Sequence, residues 1–457
     1  MEGSKNYATL FVSLNPVFMR KTPVDAQIVE EVIRKSCLER VGKGSIREIV
    51  RTVNQLQERS GIPYIRMEMG VPGLPAAPPG VEAEIEALKR GVAASYPMIE
   101  GVKELKEEIS RFARLFMDIE VDPKGCLPTV GSMMGSMAAF MVVNRTDPAK
   151  EGTLFLDPGF PVQKQQCHVL GHNFMSFDVY DNRGPKLKEK LFEYLETGKV
   201  SSILYSSPNN PAWFILTEEE LQIIGEMATE YGVIVIEDLA YFGMDFRKDY
   251  SKPGEPPYQP TVARYTDNYV LLISSSKSFC YAGQRVGMMI ISDVLYNRRF
   301  PALKRYFPSS EFGYAMIYGA LYSLSAGVSH SSQYALQGIL KAANDGTYNF
   351  VEQVREYGRK AAIMKEIFTR NGFRIVYDKD VDQPIGDGFY FTVSYPGLSG
   401  AELVEELLYY GIGAISLEIT GSNRTEGIRA CVSQVMPDQF KDLEERLKWF
   451  RKDHPVA

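Results

Sequence analysis

The sequence predicts an α/β protein with a large domain built on a mostly parallel sheet and a smaller α+β domain. Short, nearly continuous apolar runs alternate with helical patterns from about residue 81 to 330, which is typical of a parallel sheet covered on both faces. After about residue 335, strands and helices follow one another in an order typical of a compact α+β unit. The 457 residues are also too many for one ordinary core, so two domains are expected.

Five apolar runs predict strands of the large sheet: 153–157, 203–207, 233–237, 269–274 and 286–291. A stretch rich in glycine and proline at 69–80 interrupts regular structure and predicts a crossing between domains. The sequence therefore predicts three segments: an N-terminal arm and helix that join the small domain (1–68), a large domain (69–334), and the C-terminal part of the small domain (335–457).

The two ends of the chain are predicted to build the small domain together. Residues from about 22 to 60 carry apolar side chains at helical spacing. The C-terminal elements are expected as alternating helices and strands: a helix at 350–371, strands at 373–377 and 388–394, a helix at 400–410, a strand at 428–433 and a helix at 437–451.

Composition excludes several classes of protein. The net charge of −6 argues against a nucleic-acid footprint, since duplex phosphates require a basic face. The five cysteines are scattered without CxxC spacing and the four histidines lack metal-ligand spacing, so we expect no metal site and a reducing, cytoplasmic location. We expect no membrane span, because no stretch approaches about 20 apolar residues. The apolar run at 7–19 is interrupted by Asn15 and Pro16 and is interpreted as a packing arm rather than a signal peptide.

Three segments place reactive side chains at the ends of successive predicted strands: 207–211, 237–241 and 274–287. In an open parallel sheet, this edge is where ligands bind. Lys277 follows a buried-strand pattern and three serines, where burial would lower its pKa and make its amine nucleophilic. A lysine with an acid and a phenol nearby indicates pyridoxal phosphate (PLP), which binds lysine as a Schiff base and needs an acid at its pyridinium nitrogen.

Each neighbour of the lysine also has an ordinary interpretation, and the residues alone leave both open. Asp238 could pair with the pyridinium or simply cap a helix. Tyr241 and Asn210 could donate to the ring oxygen, or serve as a packed tyrosine and a turn opener. Arg285 could hold a phosphate with its planar fork or form a structural ion pair. A glycine turn that opens a helix at 129–140 predicts an anion site at the helix N-terminus.

Taken together, these motifs resemble the class I/II aminotransferase family of fold-type I PLP enzymes, from about residue 45 to 450. The resemblance rests on Asn210-Pro211, Asp238-x-x-Tyr241, Ser274-x-x-Lys277 and Arg285-Val286-Gly287. It implies the PLP-dependent transferase fold: a three-layer large domain and a small domain from both chain ends. It also implies that Lys277 holds the cofactor as an internal aldimine and then acts as the general base.

The resemblance implies roles for further residues. Asp238 would pair with the pyridinium, while Asn210 and Tyr241 would contact the ring hydroxyl. The phosphate would be held by Ser132, the backbone of Met133, Ser274 and Arg285. Phe160 matches the aromatic residue that stacks on the cofactor ring.

Three more matches concern the substrate and the partner subunit. Arg429 resembles the arginine that grips the substrate α-carboxylate, and Gly70 matches a Gly-x-Pro segment that lines the substrate pocket. Tyr96 resembles a tyrosine that reaches the neighbouring subunit's phosphate, which implies a homodimer. Trp213 departs from the family pattern, which has glycine after Asn-Pro-x, and so do Ser275, Cys280 and Tyr281.

The leading hypothesis is an aminotransferase that exchanges the amino group between an L-amino acid and a 2-oxo acid by a ping-pong mechanism. A β-lyase of the same fold is the alternative, because no motif separates elimination from transamination. A transcriptional regulator with an aminotransferase-like domain is a third hypothesis. It is disfavoured because residues 1–44 are too few for a winged-helix domain and the chain is acidic.

Overall fold

The structure is a computed structural model that describes residues 22–455. The apolar arm predicted at 7–19 lies outside the described residues. None of the helices between residues 22 and 455 is long and apolar enough to cross a membrane.

The larger of two main sheets has seven strands. In spatial order they are Cys126–Thr129, Gly287–Ile291, Tyr269–Ser274, Ile234–Asp238, Val200–Ser206, Gly152–Asp157 and Asn173–Asp178. Only Gly287–Ile291 runs against its neighbours; the other strands are parallel to one another. Helices between the parallel strands return the chain to the same edge each time, so the carboxyl ends of the strands lie side by side.

Both faces of this sheet are buried. Along the strand Tyr269–Ser274, Leu271 and Ile273 belong to one apolar core, while Val270 and Leu272 belong to another on the opposite face. Alternation between two cores requires a helical layer on each side of the sheet. The predicted three-layer α/β architecture is therefore confirmed.

Helices and short helical turns of this part of the chain surround the large sheet. Their bounds are Pro78–Lys89, Lys103–Met117, Gly131–Val143, Pro161–Leu170, Lys186–Leu195, Glu218–Glu230, Ser275–Ser278, Asp293–Asn297, Phe312–Tyr314, Tyr322–Ser325 and His330–Asn344, with a π-helix at Ala315–Leu321.

A smaller antiparallel sheet has four strands, in the spatial order Ile415–Ser416, Gly427–Cys431, Tyr390–Ser394 and Arg374–Ile375. Its helices come from both ends of the chain: Ala26–Lys35, Ile46–Ser60, Phe350–Val354, Glu356–Arg370, Gly400–Tyr409 and Phe440–Asp453. Two two-stranded pairings accompany this sheet: Ile65–Arg66 with Ile412–Gly413, and Lys379–Asp380 with Gln383–Pro384.

One apolar core joins these N-terminal and C-terminal elements. Val29, Val32 and Val53 from the first two helices pack in the same cluster as Leu403 and Phe450. The predicted small α+β unit built from both ends of the chain is therefore confirmed. The domain bounds at 68 and 334 stay a prediction.

The structure corrects several predicted elements. The helical stretch at 22–60 is two helices, because the chain turns at Cys37 with a positive φ of 57° and a capping box at Ser45 starts the second helix. The predicted helix at 350–371 is divided at Arg355, and the strand at 373–377 has only two residues, Arg374–Ile375. The strands Cys126–Thr129 and Asn173–Asp178 were not predicted. The first of these is short, and the second has an exposed residue, three half-buried residues and only two buried ones.

Candidate active site

Lys277 lies directly after a central strand of the large sheet. The strand Tyr269–Ser274 ends at Ser274, whose hydroxyl accepts a hydrogen bond from the Ser276 N–H at 3.1 Å and so caps the short helix that carries the lysine. The lysine is half-buried, and its Nζ lies 5.8 Å from the Tyr241 ring centroid. Burial lowers the pKa of Lys277, while nearby Asp238 opposes that shift. Burial of this kind favours the neutral, nucleophilic form of the amine.

Asp238 ends the adjacent strand Ile234–Asp238 and is 6% exposed. Its carboxylate accepts hydrogen bonds from the Gln163 side-chain amide at 2.8 Å and from the Ala240 N–H at 3.1 Å. Burial raises its pKa to about 6, and the charge of Lys277 limits the rise. A buried acid held in place by an amide is suited to pair with a protonated ring nitrogen.

Arg429 is a buried cation that no carboxylate within the described part of the chain hydrogen-bonds. It lies in the strand Gly427–Cys431 and is 2% exposed. One terminal nitrogen donates to the Asn210 side-chain oxygen at 3.1 Å and the other to the backbone oxygen of Glu68 at 2.7 Å. Its Nε is buried without a partner. An unpaired buried charge is costly, so an anionic ligand is the expected complement.

Tyr241 shares a hydrogen bond with a second buried phenol that was not predicted, Tyr390, at 2.8 Å. The Arg429 guanidinium lies 4.4 Å from the centroid of the Tyr390 ring. A Cβ at Gly70 would stand 2.1 Å from the Tyr390 hydroxyl, so the predicted pocket glycine leaves room for that phenol. Trp213 packs edge-on against Tyr241, with ring centroids 5.4 Å apart.

The predicted anion site lies at the start of the helix Gly131–Val143. Gly131 has a φ of +64°, and the Arg285 guanidinium would lie 2.9 Å from a Cβ at that glycine. Ser132 and Met133 form the first turn and are half-buried. Arg285 donates to the backbone oxygen of Ala282 at 2.8 Å and forms no ion pair among residues 22–455. Backbone N–H groups and an arginine fork together suit a phosphate.

Phe160 and Tyr96 occupy different surroundings. Phe160 is half-buried and directly precedes the helix Pro161–Leu170, which also carries Gln163, the partner of Asp238. Tyr96 is 92% exposed and borders a surface cavity with Met98 and Tyr334. None of the other predicted site residues lines that cavity.

Sequence reasoning missed two groups in this cluster, Gln163 and Tyr390. Gln163 lies in a helix with no motif, and its contact with Asp238 spans 75 residues. Tyr390 lies in the run Phe-Tyr-Phe and looks like core from its pattern alone. Only the glycine at 70, 320 residues earlier, hinted that something large needed room there.

The cluster fits PLP in three respects. Lys277 supplies an amine, Asp238 supplies a buried acid, and Gly131 with Arg285 supplies an anion cradle. Arg429 adds a buried cation that no carboxylate among the described residues hydrogen-bonds, which suits an anionic ligand. The fold and site therefore fit the class of PLP-dependent enzymes.

Comparison with known proteins agrees. The family described as aminotransferase class I and II matches residues 65–447. A probable aspartate aminotransferase from Methanocaldococcus jannaschii is 24% identical over 385 residues, covering 84% of this chain and 91% of that protein. An LL-diaminopimelate aminotransferase from Halothermothrix orenii is 28% identical over 245 residues, covering 52% of this chain and 60% of that protein.

The fold is also found in solved structures. A single mutant of the Thermus thermophilus aspartate aminotransferase superposes with a TM-score of 0.72 at 18% identity, covering 92% of this chain and 98% of that chain. The chain belongs to the class I and II aminotransferase family, which confirms the resemblance. It is a PLP-dependent transaminase whose reactants are an amino acid and a 2-oxo acid.

Proposed function

We propose that this aminotransferase exchanges the amino group between an L-amino acid and a 2-oxo acid in a ping-pong sequence centred on Lys277. The observation that carries the proposal is the position of Lys277 at a strand end. Its buried amine lies beside the phenol ring of Tyr241 and is influenced by the charge of Asp238. When bound, PLP supplies an electron sink that labilises the substrate Cα–H bond.

The residues around Lys277 have separate roles in this proposal. Lys277 bonds to the cofactor at rest and, once released, carries the proton from the substrate Cα. Asp238 keeps the pyridine nitrogen protonated, and Gln163 keeps Asp238 in place with a hydrogen bond of 2.8 Å. Asn210 and Tyr241 hold the ring oxygen, and Phe160 covers one face of the ring.

The cofactor phosphate is assigned to the N-terminus of the helix Gly131–Val143. The contributing groups are Ser132, the Met133 backbone, Ser274 and Arg285. Gly131 supports this assignment because the absence of a side chain lets the Arg285 fork approach the helix start closely. The arginine has no carboxylate partner of its own among the described residues, so its charge is available to a phosphate.

The substrate carboxylate is assigned to Arg429, with Asn210 and the Gly70 segment beside it. The buried, unpartnered Nε of Arg429 supports this role. Relatives named for aspartate, LL-diaminopimelate and aromatic amino acids all point to an α-amino acid as the substrate. A carboxylate next to the reacting amine is the feature that these compounds share.

The active unit is proposed to be a homodimer in which Tyr96 enters the partner's site. Tyr96 is 92% exposed and has no contact with the other proposed site residues of its own chain among those described, and apolar side chains are exposed near it in sequence. The large apolar side chains exposed nearby in sequence are Val81, Ile85, Leu88, Tyr96 and Met98. Apolar surface of this kind is typical of a subunit interface. We also propose a cytoplasmic enzyme that binds no nucleic acid, from its reduced cysteines and net charge of −6.

Borohydride trapping tests the role of Lys277. Reduction of the cofactor-loaded protein, followed by peptide mass spectrometry, should find one cofactor attached to the peptide that contains Lys277. Lys106 and Lys360 are matched internal controls, because burial lowers the pKa of each of these lysines as well. Attachment at either control lysine would contradict the assignment.

Lys277→Ala should reduce transamination by at least about a hundred-fold, the contribution typical of a general base.

A product assay separates transamination from β-elimination, the alternative activity of this fold. The wild-type enzyme should make a new 2-oxo acid only when an acceptor 2-oxo acid is present. Ammonia and pyruvate released from a cysteine conjugate without an acceptor would instead identify a β-lyase.

A further inference from the structure

Tyr390 connects two groups that act on different molecules. Its hydroxyl is 2.8 Å from that of Tyr241, the phenol assigned to the cofactor ring oxygen. Its ring face lies 4.4 Å from the guanidinium carbon of Arg429, the group assigned to the substrate carboxylate. Arg429 in turn donates to Asn210 at 3.1 Å. One buried side chain therefore touches both the cofactor side and the carboxylate side of the site.

The surroundings hold Tyr390 in one place. The residue is 2% exposed and begins the strand Tyr390–Ser394, opposite Cys431 of the neighbouring strand. Trp213 packs edge-on against its ring with centroids 6.2 Å apart, and Gly70 leaves the space that the hydroxyl occupies. A side chain confined on these sides has little rotational freedom, so its hydroxyl can orient another group.

We propose that Tyr390 is a positioning residue that couples the carboxylate-binding Arg429 to the cofactor-facing Tyr241. This inference rests on the roles proposed above for those two residues. The phenol of Tyr241 has a single hydrogen. When that hydrogen is given to the cofactor ring oxygen, the Tyr390 hydroxyl becomes the donor to Tyr241. When Tyr390 donates to Tyr241, the hydrogen bond from Tyr241 to the cofactor ring oxygen becomes stronger, because successive hydrogen bonds polarise one another.

The ring of Tyr390 has a separate effect on Arg429. A guanidinium over an aromatic face is stabilised by the negative charge of the π-system. The same contact places the guanidinium carbon 4.4 Å from the ring centroid and so restricts the movement of Arg429. Removing only the hydroxyl leaves this contact intact, whereas removing the ring abolishes it. The two parts of the side chain can therefore be tested independently.

The hydroxyl is tested by a spectroscopic pH titration of Tyr390→Phe loaded with PLP. A hydrogen bond to the ring oxygen favours the unprotonated cofactor–lysine linkage, so weakening Tyr241 should raise the apparent pKa of the cofactor absorbance band. We expect a rise of a few tenths of a pH unit, because the variant weakens the hydrogen bond from Tyr241 without removing it. The charged and titratable groups acting on Tyr390 are Arg429, Cys431 and Tyr241, and none of them is altered by the variant.

The control is Tyr64→Phe, which removes a buried phenol that donates to the Leu408 backbone oxygen at 2.8 Å in the small sheet's core. The cofactor absorbance band of Tyr64→Phe should titrate as in the wild type. An unchanged or lowered pKa in Tyr390→Phe would overturn the coupling. If the wild-type protein fails to bind PLP at all, the proposed function fails instead, so the two failures are distinguishable.

The ring is tested by Tyr390→Leu. We expect the KM for the amino acid to rise about ten-fold, since a desolvated cation–π contact is lost, while Tyr390→Phe keeps the wild-type KM. Denaturation of the cofactor-free proteins shows whether Tyr390→Leu remains folded. An equal rise of KM in both variants, or a rise in neither, would overturn the proposed role of the ring.

Discussion

Glu237 and Asp238 are adjacent buried acids with different functions. Successive residues of a strand point to opposite faces, so Asp238 contacts Gln163 while Glu237 contacts Tyr205 and Thr261. The carboxylate of Glu237 also accepts from the Val262 N–H at 3.1 Å. Burial raises the pKa of Glu237 to about 7. Asp238 lies on the side of the strand where the proposed site is, whereas Glu237 lies on the other side, where burial disfavours its ionised form.

Replacing Glu237 should change how stability depends on pH. The folded-state pKa of about 7 exceeds the ordinary value of 4.5, so the native protein holds the extra proton between these values. Stability from this group is therefore present below pH 4.5 and is lost as the pH rises to about 7. In Glu237→Gln, urea unfolding at pH 8 relative to pH 5 should show a smaller decline than in the wild type. The difference should be on the order of 3 kcal/mol. Parallel declines in both proteins would contradict the assignment.

The loop after the strand Val200–Ser206 carries Trp213 into the interface between the two cores. Trp213 has a φ of +66°, a conformation in which glycine is the least strained residue, and it is 1% exposed. A Cβ at Gly388 would lie 1.9 Å from the Trp213 ring. The tryptophan that departs from the family pattern is thus accommodated by a glycine 175 residues later. Its packing against Tyr241 and Tyr390 offsets the strain of its backbone.

A double-mutant cycle tests this pairing of elements. Gly388→Ala should destabilise the protein by about 1–3 kcal/mol, because the methyl group would overlap the indole. In a Trp213→Gly background the same change should cost less than about 1 kcal/mol, since the overlapping ring is gone. Gly283→Ala is the control, because a Cβ there would meet open space. Equal costs in both backgrounds, measured by urea unfolding, would show that the indole is not the cause.

At the scale of the whole molecule, a buried carboxylate joins the two units. Asp380 belongs to the hairpin Lys379–Asp380 with Gln383–Pro384, which follows the small sheet's first C-terminal strand. It accepts from Arg183 at 3.0 Å and from Arg247 at 2.8 Å, both in the part of the chain that builds the large sheet. Arg183 is also held by Glu220. This ionic cluster fixes the hairpin against the loop that carries Trp213.

Asp380→Ala should destabilise the protein by about 1.5–3 kcal/mol, because it removes the charged hydrogen bonds from Arg183 and Arg247. Glu220 and Asp245 still pair with these arginines, so the cost stays below that of an uncompensated buried charge. Glu86→Ala is the control, since it removes an ion pair with Lys89 whose side chains are 61% and 67% exposed. That control should change stability by less than about 0.5 kcal/mol. Urea unfolding measures both. A loss below 1 kcal/mol in Asp380→Ala would mean that the cluster does not join the units.

Hybrid dimers test whether Tyr96 serves the partner's site. Lys277→Ala and Tyr96→Ala chains should each be strongly impaired alone, but a hybrid of the two has one site with both residues intact. Random mixing should therefore restore about a quarter of the wild-type activity. If Tyr96 acts within its own chain, both sites of the hybrid carry one defect and activity stays low. Size-exclusion chromatography with light scattering checks that the mixture is dimeric.

Much of the site could be predicted because its residues lie at strand ends that are adjacent in one parallel sheet. One apolar run closely precedes Lys277, and another closely precedes Asp238 and Tyr241. Each run predicts a strand, and the end of that strand fixes where the following residues lie. Gln163, Tyr390 and Asp380 could not be predicted this way. Their contacts join segments separated by 75, 149 and 197 residues, and no local pattern encodes such a meeting.

The sequence by itself determined the fold class and the placing of the lysine, its acid and the glycine-opened helix, because hydrophobic period and strand-end chemistry are local properties. Only the tertiary structure decided which other side chains contact the lysine, its acid and the residues around them. Packing of the small unit against the large sheet brings Tyr390 under Arg429 and against Tyr241, and gives Trp213 the space left by Gly388. The physical reason is that close packing depends on the shapes of surfaces that are distant in sequence, and those surfaces exist only once the chain has folded.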